Sequence, residues 1–179
     1  QVNVNPQNIH IPDGTLRENY EAYCEWYEES IRNAGGIDLQ ILGIGTGGHI
    51  GFNESTSSLS SRTRPKTLTA QTLEENRRFF GSEEVPPCAI TMGLGTILEA
   101  RKILLLASGA RKAKAVAEAI EGPVSASVTA SVLQFHRHVT VILDADAAAE
   151  LRQKDYYRRV MEMTAAMTPR RFWSGNSTA

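Results

Sequence analysis

Cysteine is scarce: Cys24 and Cys88 are the only two in 179 residues, with no CxxC and no histidine at metal-ligand spacing. That excludes a disulfide framework and a zinc site of the usual spacing. It predicts two unpaired thiols in a reducing cytoplasm, with no metal and no cofactor. A long apolar run is also missing, since nothing approaches the roughly 18 residues that a membrane-spanning helix requires. The opening QVNVNPQNIHIPDG has none of the charged-then-apolar pattern of a secretory signal. An excess of charge of one sign is absent as well. With 19 Lys+Arg against 20 Asp+Glu, the net charge of -1 gives no electrostatic basis for nucleic acid or an anionic membrane as partner. The expected partner is a small molecule. Methionine is absent from position 1, where Gln1 stands, so a processed product or fragment is expected.

What is present suits an ordinary globular unit. A chain of this length with 41% hydrophobic residues can bury roughly two-thirds of its unfolded surface. Residues 1–167 are expected to form one α/β domain and 168–179, which lose periodicity, a loosely held tail. Asp13 or Thr15 can cap a helix in which Leu16, Tyr20, Tyr23, Tyr27 and Ile31 recur at helical spacing as a packed face, up to Gly35-Gly36. Ile37 to Ile44 reads as a buried strand that runs into Gly45, Gly47 and Gly48. The polar stretch STSSLSSRTRPKT reads as loop, Ala70 to Phe80 as helix, and Pro86-Pro87 as its stop before the apolar run Cys88 to Met92. Thr96 can cap a short helix through Ala100. Lys102 to Ala107 is a second buried-type strand, and an Ala-rich helix from about Ala110 to Ile120 ends at Gly122-Pro123. Ser125 to Leu133 reads as a small-residue helix, His138 to Leu143 as a strand, and the chain turns helical again from about Ala147. Strands alternating with helices at this spacing predict parallel βαβ units in a three-layer αβα sandwich with a mostly parallel, Rossmann-like sheet.

The informative stretch is GIGTGGHIGFNE, residues 43–54. In an open parallel sheet the ligand crevice lies beyond the carboxyl ends of the strands, and a glycine-rich turn lets backbone N–H groups approach a ligand. His49 directly follows that turn and can move protons near neutral pH, with Glu54 five residues on to orient it. The turn is neither GxGxxG nor a P-loop, and from spacing alone a hydrogen-bonded structural histidine fits equally well. Arg78 and Lys112 taken alone are solvated surface cations, and the aromatic residues of the first helix are core.

The runs GIGTGGHIGFNES, SSLSSRTRPKTLT, NRRFF, VPPCAITMGLGTILEARKILLLASGARKA, EGPVSASVTASVLQFH and VILD resemble, in order, the glucosamine-6-phosphate deaminase (isomerase) family. The related 6-phosphogluconolactonases share the Gly-His element but lack the F-N-E continuation and the S-x-L-x-S-R-T-R segment. The resemblance implies a cytoplasmic enzyme of amino-sugar catabolism that opens the ring of glucosamine 6-phosphate, isomerises it and releases ammonia, leaving fructose 6-phosphate. It implies His49 as the ring-opening residue, Glu54 as its support, and Gly45, Gly47 and Gly48 along the substrate. Arg78 and Lys112 are implied on the phosphate, where a fork-shaped guanidinium and a point-charge ammonium suit the anion. A homo-oligomer is also implied. Ser57, Arg64 and Lys66 resemble the positions that bind a phosphorylated amino-sugar effector in allosteric members, and a plain basic surface loop is the competing reading. His136 matches a family histidine followed by proline, but Arg137 stands in the proline's place, and the expected role is structural.

Two departures bear on mechanism. Gly47 stands where typical deaminases carry an aspartate that contributes to ring opening. The family's opening third, with a Ser/Thr-Gly phosphate loop and the aspartate that takes the C2 proton, is expected before Gln1, since no N-x-D-E-Y segment occurs in the chain. Two other readings therefore stand beside the deaminase: a catalytically impaired sugar-phosphate-binding module and a lactone hydrolase.

Overall fold

Residues 3–15 and 18–167 are described by a computed structural model. The strands β1 (Leu39–Gly43), β4 (Lys102–Ala107) and β5 (Val139–Leu143) form a parallel sheet in the order β1-β4-β5. In register, Ile41 lies opposite Leu104, and Leu105 opposite Val141. Parallel neighbours need crossovers. Between β1 and β4 the chain passes through α2 (Ala70–Asn76) and α3 (Leu94–Leu98), and between β4 and β5 through α4 (Ala113–Glu121), while α1 (Tyr20–Asn33) precedes β1 and α5 (Lys154–Met167) follows β5. This is the parallel α/β architecture that the alternation predicts.

The core gathers on one face of the sheet. Leu42, Ile103 and Leu105 point into it and meet Ile50, Ile97 and Val116, all fully or nearly buried. The alternate strand residues Leu39, Ile41, Leu106 and Ile142 face the other way and are exposed among the described residues. Period-2 alternation therefore divides apolar side chains between a covered face and an open one.

Several boundaries differ from the sequence reading, each for a local reason. The first helix starts at Tyr20, after Asn19 in the left-handed region (φ 59), because the Asp13 carboxylate is spent on the N–H (2.9 Å) and hydroxyl (2.6 Å) of Thr15. Leu16 lies outside the described residues. The same helix buries Cys24 and Glu28, while Tyr23 and Tyr27 are half-buried. The predicted loop contains a strand, β2 (Arg64–Thr67), which pairs antiparallel with β3 (Cys88–Thr91). Pro65 is tolerated there because a two-stranded ribbon has only edges. Thr96 caps nothing. It sits inside α3, whose N-cap is Gly93, and its hydroxyl donates to Glu28 (2.5 Å). The small-residue segment is a 3₁₀-helix over Thr129–Phe135. The last helix begins at Lys154 rather than near Ala147, since the Glu121 carboxylate accepts the N–H groups of Arg152 and Gln153 (2.9 Å each) at its start. The predicted tail, 168–179, lies outside the described residues.

Candidate active site

β1 ends at Gly43, and the chain turns back within six residues. The Gly45 N–H donates to the His49 carbonyl (2.8 Å) and the Gly48 N–H to the Gly45 carbonyl (2.9 Å). This turn requires glycine at two points. A Cβ on Gly45 would lie 2.3 Å from Cε1 and Nε2 of the His49 ring, and Gly48 has φ +77 with Val128 against it. The Cε1–Nε2 edge of the His49 ring therefore packs against Gly45 at the carboxyl end of the sheet, where an open α/β fold places its ligand crevice. The N–H groups of Gly45 and Gly48 are used within the turn. Those of Thr46 and Gly47 enter no backbone bond among the described residues.

Glu54 holds the imidazole. Its Oε2 lies 3.3 Å from His49 Nδ1, and the two side chains are 6% and 12% exposed. Glu54 Oε1 also accepts from the N–H (3.2 Å) and hydroxyl (3.3 Å) of Thr69, the N-cap of α2. A carboxylate on Nδ1 favours the tautomer with its proton there and leaves Nε2 as the acceptor. The segment between them is anchored by Asn53, fully buried. Its amide donates to the carbonyls of Ile50 (3.0 Å) and Met92 (2.9 Å), and its own backbone carbonyl accepts from Thr129 (2.7 Å). The F-N-E element is thus a rigid bracket for one histidine–carboxylate pair.

The predicted phosphate residues come from two further elements. Arg78 lies in the 3₁₀-turn Arg77–Phe79 that continues α2, with its guanidinium 4.7 Å from the centre of the Phe79 ring. Lys112 is the N-cap of α4, which starts at Ala113 rather than at about Ala110. Its pKa is lowered, first by burial and then by the positive charges of Arg111 and Arg78, with Glu75 opposing them.

Ser57, Arg64 and Lys66 are not joined by any hydrogen bond or ion pair among the described residues. Ser57 is buried, and its hydroxyl has no partner among them. Arg64 donates to the Asn53 side chain (3.0 Å) and the Arg62 carbonyl (3.1 Å), and burial lowers its pKa. Lys66 follows on β2, half-buried. His136 has both ring nitrogens on backbone: Nε2 meets the Ala100 carbonyl (2.7 Å) and Nδ1 accepts from the His138 N–H (3.1 Å).

Sequence reasoning missed Glu75, Gln71 and Thr46. The Thr46 hydroxyl is hydrogen-bonded to Glu75 Oε1, and Gln71 donates to the Thr46 hydroxyl (2.5 Å). Burial pushes Glu75 up, but the hydrogen bonds it accepts from Thr46 and Gln71 and the charges of Lys112 and His49 outweigh it and hold the carboxyl below the usual range. The i, i+4 spacing of Gln71 and Glu75 was the available signal, since it sets both on one helix face.

Fold and site together define an α/β domain with a histidine–carboxylate pair at the end of a parallel strand. The profile of the glucosamine-6-phosphate isomerases/6-phosphogluconolactonases matches residues 1–142, and the chain belongs to that family. It is 53% identical over 167 residues to the glucosamine-6-phosphate deaminase of Arthrobacter sp. (strain FB24), covering 93% of this chain and 64% of that protein. It is 58% identical to that of Hahella chejuensis (strain KCTC 2396), covering 91% and 62%. A solved monomeric glucosamine-6-phosphate deaminase superposes with a TM-score of 0.78 at 46% identity, covering 82% of this chain and 61% of that one. The chain thus spans somewhat less than two thirds of the length of these relatives.

Proposed function

We propose that this chain carries the ring-opening and phosphate-binding parts of a glucosamine-6-phosphate deaminase. The observation that carries the reading is the His49–Glu54 pair at the end of β1. His49 Nε2 takes the proton of the sugar's anomeric hydroxyl and returns one to the ring oxygen, which opens the pyranose. Glu54 stabilises the imidazolium formed in between. Arg78 and Lys112 hold the phosphate, so that remote binding energy fixes the sugar over the histidine. Moving the C2 proton to C1 turns the open-chain amino aldose into a C2 imine. Water then adds, ammonia leaves, and fructose 6-phosphate remains. That second proton transfer needs a further carboxylate, assigned to no residue of this chain.

The named relatives favour this reading over lactone hydrolysis. Gly47 beside His49 favours one competitor, binding without turnover. Both are tested by following ammonia and fructose 6-phosphate with the complete protein and its His49→Ala variant. The expected loss is about 10²- to 10⁴-fold in kcat. Equal turnover in both removes His49 from the mechanism, and calorimetric binding of glucosamine 6-phosphate without any turnover supports the binding module. Two unpaired thiols, Cys24 buried and Cys88 exposed, support a reducing compartment such as the cytoplasm. Among the described residues no helix is long and apolar enough to cross a membrane. The homo-oligomer implied by the resemblance is tested by sedimentation.

A further inference from the structure

We propose that Glu75 is a positioning residue of this site, locking the glycine turn that carries His49 to α2 through the Thr46 hydroxyl. The inference rests on the His49 reading for its purpose, but its geometry stands without it. One face of α2 and the turn after it bears Gln71, Glu75 and Arg78, at spacings of four and three. The first two close on Thr46, which lies between Gly45 and Gly47. Thr46 has no other side-chain partner among the described residues.

The consequence follows from what glycine does to a chain. A turn containing Gly45, Gly47 and Gly48 has a high entropic cost of ordering and few side chains with which to be held. Thr46 is its one side chain able to reach a neighbour. At the other end of α2, Glu54 is bonded both to the Thr69 cap and to His49. The helix is therefore tied to the histidine twice: at its start through Glu54 to Nδ1, and a turn later through Glu75 and Thr46 to the backbone under the ring. Two fixed points define the direction of Nε2, where one would leave the ring free to pivot. Because Arg78 continues the same helix, the two ties also set the distance between the phosphate cation and the histidine. Glu75 Oε1 accepts both hydrogen bonds from this pair, and Oε2 accepts none among the described residues. The carboxylate thus acts as a strut between Thr46 and α2.

Hydrogen exchange of the Gly45 and Gly48 amides tests the strut without requiring turnover, because those two N–H groups close the turn. In Glu75→Ala and Thr46→Val they should exchange about three- to tenfold faster than in the unmodified chain, as expected for one lost hydrogen bond. Glu75→Gln and Thr46→Ser, which keep the bond, should restore protection. Unchanged exchange in both Glu75→Ala and Thr46→Val overturns the proposal. So does equal acceleration in Thr46→Ser, and so does acceleration spread evenly over the core strands, which marks general destabilisation. In the complete protein the same pair of disruptive variants should lower kcat at least tenfold more than they raise KM. Absence of turnover in the unmodified protein fails the deaminase reading, while the exchange result decides the strut separately.

Discussion

Gly45 and Gly47 sit two residues apart in one turn, and the structure gives them opposite tolerances. At Gly45 a methyl group would enter the space of the imidazole, with 2.3 Å to Nε2. At Gly47 a Cβ would meet only Nδ1 of His49, at an ordinary 3.9 Å, and its backbone is outside the left-handed region. Gly45→Ala should therefore displace the ring and lower kcat of the complete protein on the order of 10²-fold, the usual cost of a misplacement of about an ångström. Gly47→Asp has room for its side chain and brings a carboxylate beside the histidine, as in the typical deaminases that the sequence resembles. It should raise kcat roughly tenfold. A steady-state assay of the two variants checks both. Gly45→Ala with full activity would mean that the ring position does not matter, and Gly47→Asp with reduced activity would mean that Glu54 already serves His49 fully.

At the scale of elements, α1, the β2–β3 ribbon and α3 are held together by one buried carboxylate. Glu28 Oε1 accepts from the N–H (2.8 Å) and hydroxyl (2.5 Å) of Thr63 and from the Thr96 hydroxyl (2.5 Å). Its Oε2 meets Arg62 at 2.5 Å, and Arg62 also pairs with Glu99. Burial alone would raise the Glu28 pKa, but these donors outweigh it and hold the pKa below the usual glutamate value. A carboxylate lowered on folding adds stability that is fully present above its unfolded pKa and is lost as the pH falls through the lower folded value. Glu28→Ala strands three donors and a half-buried guanidinium and should cost about 3 kcal/mol at pH 7, measured by denaturant melts. The difference from the unmodified protein should shrink on acidification below the glutamate range. A loss under about 0.5 kcal/mol, or one independent of pH, contradicts this role. The same element shows why the sequence could be read only in part. The central strands and the Gly-His turn were legible because apolar runs ending in glycine signal locally. Glu28 carries no such signal on a helix read by its tyrosines, and Glu75 stands in the sequence as one member of an acidic pair. Thr63 and Thr96 lie 35 and 68 residues from Glu28 and Thr46 lies 29 from Glu75, beyond the reach of any local pattern, and only the Gln71–Glu75 spacing was local. β2 was missed for a related reason, since RPKT has the composition of a loop and is a strand only because CAIT pairs with it.

Across the whole molecule, apolar side chains outnumber the surfaces that cover them. Ile41 (58% exposed) and Leu39 on β1, Leu106 on β4 and Ile142 (54%) on β5 form a continuous open face opposite the core. Both β1 and β5 are edges of the described sheet. On α5, Tyr156, Val160, Met163 and Met167 recur at helical spacing and are exposed as well. Monomeric proteins rarely leave apolar patches of this extent open, and these two lie on a chain spanning less than two thirds of its relatives' length. The 179-residue chain should therefore bind a hydrophobic dye such as ANS while melting cooperatively. Replacing Leu106 and Ile142 together with lysine should remove much of the dye signal and change stability by no more than about 0.5 kcal/mol per site, as at other exposed positions. The same change at Leu105 and Val141, which alternate with them and face inward, should cost several kcal/mol, because it buries charge in the core. Dye fluorescence, melting and sedimentation on one set of samples distinguish the cases. A dye-silent chain sedimenting as a monomer, or a large loss of stability on changing Leu106 and Ile142, would show that the face is not open.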